Sequence, residues 1–193
     1  TMSVNWEHIP AKHRSLIKAF LDEADMSADA IKTVEYPPVY GADIVVSCEK
    51  AKDPKNGSIY LKPTQFVLGI GCRRNTAFEN IDRAIRQSLL KLQIDISDID
   101  MIASIDVKKD EPGIKEFCDR NRIEFVTYTA DELMAVQGEF SASQFVREHV
   151  GVDNVCERAA VLACSRECNE AGELIYKKHK YDSVTVAAAR YPD

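Results

Sequence analysis

Residues 66–92 read FVLGIGCRRNTAFENIDRAIRQSLLKL, and this stretch decides the predicted fold. The apolar run from Phe66 to Ile70 ends at a glycine, which is typical of a buried strand. Apolar residues then recur every three or four positions from Phe78 to Leu92, which predicts a helix with one apolar face. The stretch therefore predicts a strand, a tight turn and a helix in direct succession.

The alternation of strand and helix continues through the rest of the chain. Pro112 suits the first turn of a helix, and Thr129-Ala-Asp-Glu132 has the spacing of a capping box. The other predicted elements are strands at 101–105 and 123–127, helices at 142–150 and 154–168, and a closing antiparallel pair at 174–177 and 184–189. This order predicts a three-layer α/β/α fold with a mixed, largely parallel sheet and a C-terminal antiparallel hairpin.

Residues 1–63 are expected to form a small irregular N-terminal segment that precedes an α/β domain at residues 64–193. Within the segment, a helix is predicted at about 8–24 and short strands at 44–47 and 59–61. Asn56-Gly57 is a strong turn signal between the two strands, so they are expected to pair as a hairpin.

Composition excludes several functional classes. The 193 residues include 25 Lys and Arg and 31 Asp and Glu, so the chain lacks the positive surplus of a nucleic-acid binder. The longest apolar run, Ala159 to Cys164, is far shorter than the ~18 residues of a membrane span. A cytoplasmic protein with free thiols at its six cysteines is expected. The four histidines are scattered, so neither a protein-bound metal nor another bound cofactor is expected.

Ligands of such a sheet bind outside the carboxyl ends of its strands, which directs attention to residues 71–76. Asn75 or Thr76 is expected to cap the following helix, whose free N–H groups favour an anion. Arg73 and Arg74 add guanidinium groups that suit a carboxylate or phosphate. The alternative is two solvated arginines over a tight turn.

The loop after the second strand carries five charges within residues 106–111. Asp106 and Glu111 are candidates for a general acid or base, and the alternative is a solvated charged loop. Ser141 and Ser143 precede a predicted helix, where they either cap it or bond a ligand. Glu157 either stabilises the start of the last helix or reaches the cleft.

A family resemblance emerges from these residues. Gly69-Ile-Gly-Cys-Arg-Arg-Asn-Thr76 resembles the GIGCRRGT signature that opens the C-terminal domain of the CbiG/CobE cobalamin-biosynthesis proteins, with Asn75 where the family often has glycine. Further family-like segments follow in order at 104–113, 141–151, 155–160 and 184–190. Residues 41–63 also resemble the stretch that precedes this domain in the longer, anaerobic-pathway members.

The resemblance implies a cobalt-precorrin-5A hydrolase, which opens the lactone of a cobalt-bearing contracted-ring tetrapyrrole and releases acetaldehyde. The cobalt would be carried by the substrate, and other corrin-pathway enzymes are further candidate partners. Asp106 or Glu111 is the expected base, and Lys108 or the N–H groups of residues 71–73 are expected to stabilise the oxyanion. The expected substrate-binding residues are Gly71, Cys72, Arg73, Arg74, Asn75, Thr76, Ser141, Ser143 and Glu157.

A binding protein that holds or hands over a corrin precursor, as the short CobE-like members are expected to do, is the alternative. The full hydrolase carries a further N-terminal domain that this sequence is expected to lack. The chain is therefore interpreted either as an excised portion or as a shorter relative.

Overall fold

The computed structural model describes most of the chain. Its described residues are 2–4, 6, 9, 11–23, 31–33, 44–46, 59–61, 64–141, 151–168 and 171–192. The chain divides into two compact units, residues 1–65 together with residue 193, and residues 66–192. The predicted helix at 142–150 lies outside the described residues.

Among its described residues, the first unit contains a small parallel sheet and a helix. Its elements are β1 (Met2–Val4), α1 (Ala11–Glu23), β2 (Ile31–Thr33), β3 (Ile44–Val46) and β4 (Ile59–Leu61). The strand order is β2-β1-β3-β4, and every neighbouring pair is parallel. The segment expected to be irregular thus contains a regular four-stranded sheet.

The predicted hairpin between β3 and β4 is wrong. The two strands pair in parallel, with Ile44 opposite Ile59, so they cannot be the two strands of a hairpin. The predicted Asn56-Gly57 turn lies outside the described residues. Two three-residue apolar strands carry no signal of their relative direction, and the Asn-Gly pair alone had indicated a hairpin.

The second unit has the predicted three-layer architecture. Its elements are β5 (Phe66–Cys72), α2 (Phe78–Leu92), β6 (Ile99–Ile105), α3 (Pro112–Asn121), β7 (Glu124–Tyr128), α4 (Ala130–Ala135), α5 (Val155–Cys168), β8 (Glu173–Tyr181) and β9 (Val184–Arg190). The strand order is β7-β6-β5-β9-β8, in which β5, β6 and β7 are parallel. Strand β9 runs antiparallel to β5 and to β8, which confirms the mixed sheet and the closing hairpin.

Two apolar clusters lie on opposite faces of this sheet. Leu68 packs with Ile81 of α2 and Phe117 of α3 on one face. Its neighbour Val67 points to the other face and packs with Ala160 of α5 and Leu133 of α4. Alternate residues of β5 therefore serve different helical layers, which explains its continuous apolar run.

Local signals at the helix ends agree with the sequence in part. The capping box at α4 is confirmed, since Thr129 Oγ1 accepts the N–H of Glu132 at 3.3 Å and the Glu132 carboxylate accepts the N–H of Thr129 at 2.7 Å. Strand β8 is longer than predicted, because residues 178–181, which include two lysines, continue it. Lysines suit an edge strand, which faces solvent.

Among the described residues, no helix is long and apolar enough to cross a membrane.

Candidate functional site

The loops after β5 and β6 meet at the carboxyl ends of the parallel strands. We call residues 73–77 the first rim loop and residues 106–111 the second rim loop. Glu111 joins them, because its Oε1 accepts the backbone N–H of Thr76 at 3.0 Å while Lys108 Nζ donates to its Oε2 at 3.2 Å. The Glu111 side chain is only 4% exposed and that of Lys108 14% exposed, so this link is largely shielded from water.

Gly113 allows the two rim loops to approach this closely. A Cβ atom at this position would lie 2.3 Å from the carbonyl oxygen of Thr76, which is backbone and cannot move aside cheaply. Pro112 occupies the first turn of α3, as predicted. The sequence Glu-Pro-Gly therefore starts α3 and sets its first turn against the start of α2.

The predicted cap of α2 is wrong. The helix begins after Ala77, which makes no side-chain capping bond, and the Thr76 hydroxyl donates instead to the carbonyl of Arg73 at 2.7 Å. The Thr76 N–H is bonded to Glu111. The Glu111 carboxylate therefore accepts a backbone N–H just before α2 that would otherwise be available to an external anion.

The exposed part of the first rim loop carries Arg73, Arg74 and Asn75. Asn75 adopts a left-handed φ of 58°, a conformation that asparagine tolerates better than most residues. The N–H of Arg73 donates to the carbonyl of Ser183 at 3.1 Å, which fixes the loop to the turn between β8 and β9. Both guanidinium groups therefore extend from an anchored backbone.

Gly71 and Cys72 lie beneath this loop at the end of β5. The Gly71 carbonyl accepts the hydroxyl of Thr185 in β9 at 3.2 Å. The Cys72 thiol is partly buried, and burial raises its pKa to about 11, with the Lys108 ammonium lowering it and the Glu111 carboxylate raising it. The thiol is consequently protonated at neutral pH, which makes it a poor nucleophile.

The side chains of the second rim loop differ in their exposure to solvent. Asp106 is exposed at the end of β6, where it begins the short 3-10 turn 106–108. Val107 is 62% exposed beside it. The carboxyl groups of Asp106 and Glu111 therefore differ in kind, because one faces solvent and the other is bonded within the protein.

Glu157 forms a second polar centre, a cluster of hydrogen bonds at the start of α5. Its side chain is fully buried, and its oxygens accept the N–H and hydroxyl of Ser141, at 2.8 and 2.9 Å, and the N–H of Lys178 at 2.6 Å. Asn154 Oδ1 accepts the N–H of Glu157 at 2.9 Å, while Asn154 Nδ2 donates to the carbonyl of Ser141 at 2.8 Å. Glu157 therefore supports the Ser141 backbone rather than pointing into open space. Ser143 lies outside the described residues.

This second centre lies near the same end of β5. A Cβ atom on Gly69 would come within 1.7 Å of the carbonyl oxygen of Cys156, so the first turn of α5 packs directly on the strand. The Cys156 thiol also lies beside Thr185, the residue that bonds Gly71. The start of α5 thus packs on β5 from the sheet face opposite α2 and α3.

Two supporting residues were missed from the sequence. Arg158 donates to the carbonyl of Val136 at 2.9 Å at the end of α4, forms an ion pair with Asp153 at 2.8 Å, and lies over the Phe140 ring. Its signal was weak, because an arginine inside a helix usually faces water. Asn154 did carry a signal, since an asparagine three residues before a glutamate has capping-box spacing.

No metal-ligand cluster is found in the part of the chain that the structure describes. No three His, Cys, Asp or Glu residues there are grouped so that they could hold a metal ion. The described cysteines, Cys72, Cys118, Cys156 and Cys164, are free thiols.

These features define an α/β domain in which a buried carboxylate–lysine link joins the loop that carries Arg73 and Arg74 to the loop that carries Asp106, at the carboxyl ends of the parallel strands. The chain belongs to the family described as "Cobalamin synthesis G C-terminus", whose model matches residues 66–189. The matched region corresponds to the second unit and includes both rim loops.

Curated relatives match over more than half of this chain. The cobalt-precorrin-5A hydrolase of Salmonella typhimurium is 33% identical over 126 residues, which are 65% of this chain and 34% of that protein. The probable cobalt-precorrin-5A hydrolase of Methanocaldococcus jannaschii is 31% identical over 137 residues, which are 68% of this chain and 42% of that protein. Protein CobE of Sinorhizobium sp is 28% identical over 103 residues, which are 67% of its length. The matches thus span less than half of either hydrolase.

Solved structures share the fold. CobE, a protein from the cobalamin biosynthetic pathway, superposes with a TM-score of 0.61 at 25% identity, over 65% of this chain and 89% of that chain. A putative cobalamin biosynthesis protein G homolog from Sulfolobus solfataricus covers all of this chain and 51% of its own, with a TM-score of 0.54 at 19% identity. The latter similarity concerns the fold alone.

Proposed function

We propose that the chain binds a cobalt-containing tetrapyrrole precursor at its rim loops and takes part in the hydrolytic opening of the cobalt-precorrin-5A lactone, with release of acetaldehyde. The observation that carries this proposal is the Glu111 link, which brings Arg73, Arg74, Asp106 and Lys108 to one edge of the sheet. The names of the hydrolase relatives support the substrate class.

The charge of the site suits such a substrate. A corrin precursor carries many acetate and propionate groups, and guanidinium groups bind carboxylates through paired hydrogen bonds. Arg73 and Arg74 are exposed on a loop anchored by Ser183, so they reach such groups without rearranging the backbone. The exposed side chain of Val107 offers an apolar contact for the macrocycle. The cobalt is proposed to enter within the macrocycle as part of the substrate.

Asp106 is the better placed of the two candidate bases. Lactone hydrolysis requires a base that takes a proton from water as it attacks the carbonyl. Asp106 is exposed, whereas both oxygens of Glu111 accept hydrogen bonds from Thr76 and Lys108. We assign to Glu111 the role of positioning Lys108. The Lys108 ammonium would stabilise the negative charge that develops on the carbonyl oxygen. Ser141, held by Glu157, stays a proposed substrate-binding residue.

A carrier that binds the precursor without hydrolysis is the second candidate. CobE, which has no hydrolase in its name, matches this chain over 89% of its structure, whereas the hydrolases extend well beyond the match. Free thiols accord with a cytoplasmic location for either role.

The release of acetaldehyde distinguishes the two candidates. The chain is incubated with cobalt-precorrin-5A and acetaldehyde is measured, for the wild type and for Asp106→Asn. The proposed hydrolysis predicts release by the wild type and a loss of about 100-fold or more in the variant, the range for removal of a general base. Asp110→Asn is the matched control, since Asp110 is an exposed acid in the same loop. Binding without release would favour the carrier, and neither binding nor release would refute both.

A further inference from the structure

The last residues of edge strand β8 lie at the same end of the sheet as the first rim loop. Strand β9 pairs with β5 and with β8, so that Thr185 lies opposite Gly71 in β5 and opposite Lys180 in β8. Neighbouring strands lie about 4.8 Å apart, so the Lys180 backbone lies about 10 Å from that of Gly71. The N–H of Arg73 also donates to the carbonyl of Ser183, in the turn that follows β8. The end of β8 is therefore within reach of a large ligand that the first rim loop holds.

The Lys180 side chain lies on the α5 face of the sheet. Side chains paired across neighbouring strands share a face, so Lys180 and Thr185 lie on the same face as Gly71. Gly71 shares that face with Gly69, against which the Cys156 carbonyl of α5 packs. Lys180 is exposed there, so its ammonium is accessible beside the start of α5.

An irregularity in β8 brings Lys178 to the same side. The pairing with β9 shifts its register between Tyr176 and His179, and within this interval the N–H of Lys178 donates to Glu157 Oε1 of α5 at 2.6 Å. The Lys178 side chain is half-buried. Burial raises the pKa of the Cys156 thiol to about 12, and the Lys178 ammonium opposes this rise, so the ammonium too lies on the α5 side.

Positive charge exceeds negative charge at this end of β8. In the described part of the chain, neither Lys178 nor Lys180 forms an ion pair, and Lys177 adds another exposed ammonium. Glu157 is buried, and its oxygens accept three donors of the protein itself. Asp182, in the turn after β8, is an exposed acid close in sequence. Three lysines against these two acids leave a surplus that suits an anion.

We propose that Lys178 and Lys180 bind carboxylate groups of the tetrapyrrole, so that the macrocycle extends from the first rim loop toward β8. This inference rests on the proposed function and assigns the substrate an orientation. The second rim loop, on the other side of β5, presents the exposed acids Asp106 and Asp110, which repel carboxylates. An uncharged lactone is not repelled in this way. The lactone is therefore directed to Asp106 and the carboxylate arms to the lysines of β8.

A spectroscopic titration with cobalt-precorrin-5A at low ionic strength tests this inference. The double variant Lys178→Gln, Lys180→Gln keeps polar side chains of similar length but removes both charges. Its Kd is expected to rise by about fivefold to tenfold, and the difference should shrink at higher salt because salt screens exposed charges. Lys178→Arg, Lys180→Arg retains both charges and is expected to bind within about twofold of the wild type.

Lys91→Gln, Lys115→Gln is the matched control, because it removes the same net charge from exposed lysines of α2 and α3, the helices on the opposite face. Its Kd should stay within about twofold of the wild-type value. Circular dichroism melts verify that each variant is folded.

The possible results separate this inference from the proposed function. If the wild type binds and the Lys178→Gln, Lys180→Gln variant binds equally well, the inference is overturned while the proposed function stands, and the lysines serve only to protect the sheet edge. An equal rise in the Kd of the control variant also overturns it, because the effect is then one of net charge. A wild type that does not bind the tetrapyrrole refutes the proposed function and this inference together.

Discussion

Glu111→Ala removes the carboxylate that joins the two rim loops, and the structure allows its cost to be worked out. The variant leaves the Thr76 N–H, now bonded at 3.0 Å, without its acceptor in a buried position, at a cost of about 1–3 kcal/mol. It also leaves the Lys108 ammonium, 14% exposed, without its counter-ion, and partial access to water limits that cost to about 1 kcal/mol. The free energy of unfolding is therefore expected to fall by about 3 kcal/mol.

Urea denaturation followed by circular dichroism measures this change. The single tryptophan, Trp6, lies in the first unit, so its fluorescence does not report directly on the unit that carries the mutation. Glu111→Gln retains an oxygen that can accept the Thr76 N–H but turns an amide toward Lys108. It is expected to cost about 1–2 kcal/mol.

The neighbouring acid supplies the control. The Asp110 side chain is 88% exposed and lies 3.7 Å from Lys115, so Asp110→Asn is expected to change stability by less than about 0.5 kcal/mol. If Glu111→Ala and Asp110→Asn change the unfolding free energy equally, the link between the rim loops is not a structural feature of the folded protein, and the reasoning fails.

Three further predictions follow from packing, buried charge and thiol ionisation. Gly69→Ala is expected to lower the free energy of unfolding by about 3 kcal/mol, because the new Cβ atom meets the Cys156 carbonyl. Gly71→Ala is expected to lower it by less, because only the movable Thr185 hydroxyl obstructs the new Cβ atom. Equal urea midpoints of the two variants would contradict this. Glu157→Gln should lower the unfolding free energy by about 2–4 kcal/mol, since an amide would face three donors, and a thermal melt like that of the wild type would disprove it. Burial raises the pKa of the Cys156 thiol from 9.0 to about 12, so its contribution to stability is complete below pH 9 and is lost as the pH rises toward 12. Cys156→Ala should therefore show a shallower loss of stability between pH 9 and 11, and an unchanged slope would exclude this contribution.

The sequence predicted the second unit well because its signals are local. The apolar run of β5 and the regular spacing in α2 each depend on residues within one element, and the capping box of α4 spans four residues. The antiparallel pair at the C-terminus followed from two short apolar strands separated by a polar stretch. Residues 178–181 were misassigned to that stretch, because an edge strand accepts lysines that a central strand would exclude.

The structure of the site depended on contacts that no local pattern encodes. Glu111 and Thr76 are 35 positions apart, so nothing in either segment shows that one carboxylate bonds the other backbone. The loops that carry the arginines and the charged residues were expected at one edge of the sheet, because carboxyl ends of parallel strands share an edge, and the bond between Glu111 and Thr76 joins these loops. Which carboxylate is buried depends on Gly113, whose missing side chain lets α3 approach α2.

The direction of the strands in the first unit shows the same limit. The apolar triplets of β3 and β4 indicate strands, but their pairing depends on the path of the chain between them. A turn-forming Asn-Gly pair favours a hairpin only when it joins two adjacent antiparallel strands. In the structure the two strands are parallel, so the hairpin that the Asn-Gly pair indicated does not form.

The most direct test of the proposed site is a spectroscopic titration of the chain with cobalt-precorrin-5A, comparing the wild type with the double variant Arg73→Ala, Arg74→Ala. Loss of two exposed guanidinium–carboxylate contacts is expected to raise the Kd by about tenfold, with a larger difference at low ionic strength. Arg83→Ala, which removes an exposed arginine of α2, should bind as the wild type does. Equal affinity of the double variant and the wild type at low salt would contradict the claim that the first rim loop binds the tetrapyrrole.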